Sequence, residues 1–94
     1  MFISQISVFL ENKPGKLSEV IDAVAREGID ISAISIADTT EFGVLRMIAD
    51  KPEEAVAAIR RAGFPVSTTD VLAVEVPDRP GGLGDVLKIL KDER

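Results

Sequence analysis

Asn12, Lys13, Pro14, Gly15 and Lys16, running into Leu17, are the residues of this 94-residue chain best suited to hold a ligand. They follow an apolar alternation and precede a helical stripe, so they join a strand to a helix start. The unpaired N–H groups and positive dipole end found there favour an anion such as a carboxylate. Gly15 lets a ligand come close to the backbone, and the Asn12 amide offers both a donor and an acceptor. Such a set suits an α-amino acid, held by its two charged ends. The plainer reading is a strand-to-helix turn, with Pro14-Gly15 setting the bend and Asn12 forming a local turn.

The same set occurs twice. Ile6 to Val24 returns 66 positions later as Leu72 to Leu90, with Val8/Val74, Pro14/Pro80, Gly15/Gly81, Leu17/Leu83 and Val20/Val86 as identical pairs. Repetition in one phase weighs against a turn alone, because helix-starting chemistry accepts many other sequences. In the second copy Asp78 replaces Asn12 and offers an ammonium group a full charge. Gly82 replaces Lys16, which leaves a barer loop beside Gly81 and Leu83. Lys13 and Arg79 share a loop position and read either as partners for a ligand carboxylate or as solvated bases.

Other chemistries find little support. With no Cys and no His, thiolate metal sites, disulfides and the commonest general base are excluded. Asp50, Glu53 and Glu54 are spaced for helix capping, and the acidic residues lack calcium-loop spacing. Gly81-Gly82-Leu83-Gly84 lacks the Gly-Lys-Ser/Thr ending of a nucleotide loop. A net charge of −5, four Phe and no Tyr or Trp provide neither a basic field nor stacking platforms, so nucleic acid is not an expected partner. No cofactor is implied. Met1 to Gln5 has no basic n-region and no segment reaches membrane-spanning length, so no membrane partner and a cytoplasmic address are expected.

The elements that position the loop follow from periodicity. Ile6, Val8 and Leu10 alternate with Ser7 and Phe9, which predicts a strand over 3–11. Leu17, Val20, Ile21, Val24 and Ala25 form one helical stripe that ends at Gly28. The Ile-rich run 29–38 breaks alternation between Ile31 and Ile34, so a bulge or a strong twist is expected near Ser32-Ala33. Thr39 to Gly43 reads as a hairpin into a strand over 44–49. Asp50 is the expected N-cap of a second helix with Pro52 in its first turn and Ala55, Val56, Ile59 and Ala62 as its stripe, closed by Gly63. Val66 to Val76 is extended again, with Thr69-Asp70-Val71 as the boundary between units. Leu83, Val86, Leu87 and Leu90 then repeat the first helical stripe, and Arg94 stands where Gly28 stands in the first copy.

The order is βαββαβ followed by a further βα. This predicts an α+β, ferredoxin-like sandwich: a four-stranded antiparallel sheet carrying its first two helices on one face, then an extra βα unit. Residues 1–71 form one module and 72–94 the first strand and helix of a second, truncated one. In the strand over 44–49, Leu45, Met47 and Ala49 face the helices, which leaves Val44, Arg46 and Ile48 on the open side. An apolar pair there calls for a cover, and a second copy of the module is the obvious one. A chain of this length has a small core, which also favours association.

Val8 to Leu17, then Gly28-Ile29-Asp30-Ile31 entering a strand, then Gly43-Val44-Leu45-Arg46-Met47, together resemble an ACT domain. The resemblance covers residues 3–71 as a whole module and 72–94 as the opening of another. It implies a non-catalytic regulatory module that binds a small effector, typically an amino acid, at an interface between modules. The pocket would lie between the loop after the first strand of one module and the second strand of its neighbour. The residues so implied are Asn12, Pro14, Gly15, Lys16 and Leu17, with Asp78, Gly81, Gly82 and Leu83 in the second copy and Ile34 and Ser35 on strand 2. A homo-oligomer, first of all a dimer, joined through the sheet face or an edge is implied, as is a partner enzyme of amino-acid metabolism. The chain is also similar to regulatory subunits of acetolactate synthase, which carry a further domain; a stand-alone tandem ACT protein fits better. A purely structural oligomerisation module with no small-molecule ligand is the alternative.

Overall fold

The computed structural model describes residues 1–93; the expected end of the second unit at Arg94 lies outside the described residues. The order is β1 (Phe2–Glu11), α1 (Lys16–Arg26), β2 (Ile31–Asp38), β3 (Phe42–Ala49), α2 (Pro52–Arg61), β4 (Val66–Leu72) and α3 (Gly82–Glu93). The strands form one antiparallel sheet in the order β2-β3-β1-β4. This is the ferredoxin-like arrangement expected, followed by the extra segment that leads into α3.

Alternation decides the faces. Ile6 and Val8 on β1 pair with Met47 and Leu45 on β3, and all four are buried under Val20 and Val24 of α1 and Ala55 and Ile59 of α2. The opposite face carries Ser7, Phe9 and, as the pattern predicts, Val44, Arg46 and Ile48; Val44 and Ile48 are half-buried. Phe9 and Phe42 stack on this open face with centroids 5.3 Å apart. Of the two irregularities expected near Ser32-Ala33, a bulge or a strong twist, the strand shows a register shift between Ile31 and Ala33.

Both core helices end in the same way. Gly28 and Gly63 have φ of 69° and 95°, which lets the chain reverse in a Schellman motif. Ile29 N–H reaches the Val24 carbonyl at 3.4 Å, and Phe64 N–H reaches the Ile59 carbonyl at 3.3 Å. Each motif drops its following residue, Ile29 or Phe64, into the core.

One expectation is corrected. Asp50 does not cap α2, whose N-cap is Lys51 with no side-chain bond. Its Oδ1 instead accepts from Asp30 N–H at 3.0 Å while its own N–H donates to the Asp30 carbonyl at 3.1 Å, locking the start of β2 to the end of β3. β4 runs through residues 69–71 to Leu72, which pairs with Phe2, and Ala73 N–H still donates to the Met1 carbonyl at 2.8 Å. Residues 73–77 form no further ladder. A strand needs a neighbour, and no strand follows α3 among the described residues to provide one. The helix α3 itself packs against no other element.

Candidate functional site: a cleft at the start of α1

The β1–α1 loop is a type II turn. Lys16 N–H donates to the Lys13 carbonyl at 3.3 Å, Pro14 takes the second position, and Gly15 takes the third with φ 86° and ψ −14°. Proline's ring presets the former and only glycine adopts the latter without strain. The second copy reproduces the turn bond for bond. Gly82 N–H donates to the Arg79 carbonyl at 3.1 Å, and Gly81 has φ 84°. Lys13 N–H to Glu11 and Arg79 N–H to Pro77 match at 2.9 Å, as do Glu19 N–H to Gly15 and Asp85 N–H to Gly81 at 3.0 Å. The sequence repeat is therefore a repeat of backbone geometry.

What differs is the company each loop keeps. Asn12 N–H donates to the Glu41 carbonyl at 2.9 Å, and its side-chain Nδ2 donates to the Thr39 and Thr40 carbonyls at 3.0 and 3.4 Å. These bonds tie the first loop to the β2–β3 hairpin. The donor half of the Asn12 amide is thus occupied, and the residue acts first as a clamp. Lys13 pairs with Glu11 at 3.1 Å, whereas Arg79 reaches Asp85 at 2.9 Å; all four are well exposed. At Gly82, a Cβ would collide with the Pro77 carbonyl oxygen, so the position read as bare is filled by backbone. Gly15, by contrast, has nothing within 4 Å of where its Cβ would be.

Between the clamped loop, α1 and β2 lies a cleft of about 240 Å³. Register explains its walls. Leu10, Gly43 and Asp38 form one row across β1, β3 and β2 on the helix-bearing face, and Leu45 and Ile36 belong to the next. Gly43 has no side chain to fill the middle of the first row. Leu17 comes from α1, and Glu11, Asn12 and Lys13 from the loop. Neither α1 nor α2 packs on β2, so Ile34 and Ile36 are 49% and 52% exposed on a face that is otherwise core. The cleft is open along that edge.

Of the residues singled out in the sequence, Asn12, Lys13 and Leu17 line this cleft, while Pro14, Gly15 and Lys16 build the turn beside it. Ile34 and Ser35 lie further along β2, in a separate depression with Arg46 and Ile48. Asp78, Gly81, Gly82 and Leu83 belong to the second loop and do not line the cleft. Ile36, Asp38, Gly43 and Leu45 escaped the sequence reading. Parity along β2 was the available signal, since Ile34, Ile36 and Asp38 share a face, but nothing local says where the helices stop covering it. Among the described residues no cluster of carboxylates could hold a metal ion, and no helix is long and apolar enough to cross a membrane.

A four-stranded βαββαβ sheet with a ligand-sized cleft beside a strand-to-helix Pro-Gly turn defines the class of small α+β domains with the ACT fold. The chain belongs to the ACT domain family: a family model described as an ACT domain pair matches residues 1–94. It is similar to the crystal structure of protein BT0572 from Bacteroides thetaiotaomicron, at 43% identity and a TM-score of 0.92. That match covers 99% of this chain and 65% of the other, so the chain spans just under two thirds of its length. The regulatory subunit of aspartate kinase from Thermus thermophilus shares the fold at 17% identity, with a TM-score of 0.73 over 95% of this chain and 68% of that one. So does the ACT domain of a GTP pyrophosphokinase of Chlorobium tepidum, at 13% identity, a TM-score of 0.57 and coverage of 84% and 94%. The comparison with curated proteins yields no match.

Proposed function

We propose that this chain is a non-catalytic regulatory module that binds an amino-acid effector in the cleft at the start of α1. The observation that carries the reading is the cleft itself: Gly43 leaves it empty, and the Asn12 clamp holds the loop over it. The first turn of α1 has no side-chain cap, and with Lys16 N–H bonded to Lys13 the N–H groups of Leu17 and Ser18 remain for a carboxylate. Residues 72–94 are read as the opening strand and helix of a second module, with Asp78, Gly81, Gly82 and Leu83 as its corresponding loop.

The open side of the cleft falls at the β2 edge, where a neighbouring module would close it. Ile34 and Ser35 of β2 are then interface residues rather than cleft residues. A ligand bound between modules stabilises one mutual arrangement over others, and the difference in affinity between arrangements is the signal. In this reading the protein is a cytoplasmic homo-oligomer that regulates an enzyme of amino-acid metabolism. The test is a thermal melt against each of the twenty amino acids. A saturable rise in Tm with one of them is expected; no shift with any, in folded and assembled protein, sinks the sensing role.

The exposed Phe9–Phe42 stack and the uncharged stretch Ile31 to Ala37 of β2 favour a second reading, a structural oligomerisation module with no ligand. It predicts assembly that no metabolite alters, lost on Ile48→Lys and retained on Gly15→Ala.

A further inference from the structure

We infer that the cleft at the start of α1 selects an α-amino acid with a branched aliphatic side chain, and that Asp38 takes its ammonium group. This rests on the effector-binding reading above and narrows it to a ligand class. The residues that would meet a side chain are Leu10, Leu17 and Ile36, all aliphatic, above the buried Leu45, with Gly43 leaving room among them. The volume of about 240 Å³ lies below the roughly 300–1,000 Å³ of pockets for drug-sized ligands and suits a small metabolite.

Charge decides the polar end. Three ionisable residues line the cleft, Glu11, Lys13 and Asp38. Glu11 and Lys13 are paired with each other at 3.1 Å. Asp38 has no ion pair and no side-chain hydrogen bond among the described residues. It sits across from Gly43, with its Cβ 3.4 Å from where a Gly43 Cβ would stand, at the border between the apolar floor and solvent. A cationic ligand group is the complement of that carboxylate. No unpaired cation lines the cleft, so an acidic side chain would lose water there without gaining a partner. A basic side chain would compete with the ligand's own ammonium for Asp38.

The experiment is isothermal titration of the full chain with L-leucine, L-isoleucine, L-valine, L-alanine, L-phenylalanine, L-aspartate, L-lysine and 4-methylpentanoate, the last being leucine without its ammonium group. Leucine or isoleucine is expected to bind most tightly, with affinity falling about fourfold per methylene removed. The ammonium-free acid should bind at least tenfold more weakly than leucine. Asp38→Asn should weaken leucine about tenfold while leaving Tm within about 2 °C. Gly43→Val, whose new atoms occupy the cleft, should abolish binding. Tighter binding of aspartate, lysine or phenylalanine, or an unchanged affinity in folded Asp38→Asn, overturns the ligand class and leaves the effector-binding reading standing. If none of the seven amino acids binds while another raises Tm in the twenty-member melt, the ligand class falls and the effector-binding reading stands; no response to any of the twenty removes both.

Discussion

The side-chain amide of Asn12 donates to the Thr39 carbonyl across 3.0 Å, joining the loop that opens α1 to the hairpin between β2 and β3, 27 residues away in sequence. A residue that looks like a ligand contact in the sequence is therefore already spent, in its donor half, on holding two loops together. Removing it by Asn12→Ala should cost about 1 kcal/mol, the usual net worth of such a bond, and lower Tm by about 4–8 °C in a domain of this size. Asn12→Asp should be worse than Ala, because a carboxylate there would face the Thr39 and Thr40 carbonyl oxygens with no donor. Thermal melts of the two variants check the order.

The repeated glycines separate conformational strain from collision. Gly15 holds φ 86° with open space around it, so Gly15→Ala should cost about 1–2 kcal/mol through backbone strain alone. Gly82 has no positive φ but lies under the Pro77 carbonyl. Gly82→Ala should displace the 77–82 segment without touching the core melt, since α3 packs on no element of the core. Comparing melts with helical ellipticity for both variants distinguishes the two costs.

Periodicity made β1, α1, α2 and the core legible because each shows one face to the same interior: Ile6, Val8, Val20, Val24, Leu45, Met47, Ala55 and Ile59 all fall on predicted stripes. The β2 bulge was legible for the same reason, as a break in alternation. What sequence pattern does not carry is which face ends up without a lid. Ile34 and Ile36 alternate as core residues do, yet no helix covers β2. Asp50 shows a related failure. Its chemistry suits a helix cap, but the start of β2 at Asp30 lies beside it and claims its Oδ1. The end of β4 carries no local mark either: the strand runs through 69–71 to Leu72 without a turn.

The stack of Phe9 on Phe42 crosses two strands diagonally on the open face. A double-mutant cycle with Phe9→Ala and Phe42→Ala should give a coupling of about 0.5–1.5 kcal/mol beyond the area each ring covers. Urea unfolding of the four proteins measures it; a coupling near zero would mean that the rings are held apart in solution by whatever covers the face.

The ion pair between Arg61 and Glu27 links the ends of α2 and α1 at 3.2 Å, with side chains 64% and 50% exposed. Exposed pairs gain little over hydration and cost side-chain entropy. Arg61→Ala should change stability by less than about 0.5 kcal/mol, as read by urea unfolding.

The helix α3 presents Leu83, Leu87, Ile89 and Leu90 to solvent, each at least 39% exposed. Its counterpart α1 is held by the sheet beneath it, through Val20 and Val24. A lone helix of 12 residues is marginal in water, since nucleation is costly and its apolar stripe contributes nothing until covered. Amides of α3 should therefore exchange with deuterium far faster than those of β1 and β3 at low protein concentration, and gain protection as concentration rises and a partner covers the stripe. Leu87→Glu should remove that gain and leave the melt of the β1–β4 sheet unchanged. Strong protection of α3 at high dilution, or concentration-dependent protection that survives Leu87→Glu, would mean that its stripe is not the contact.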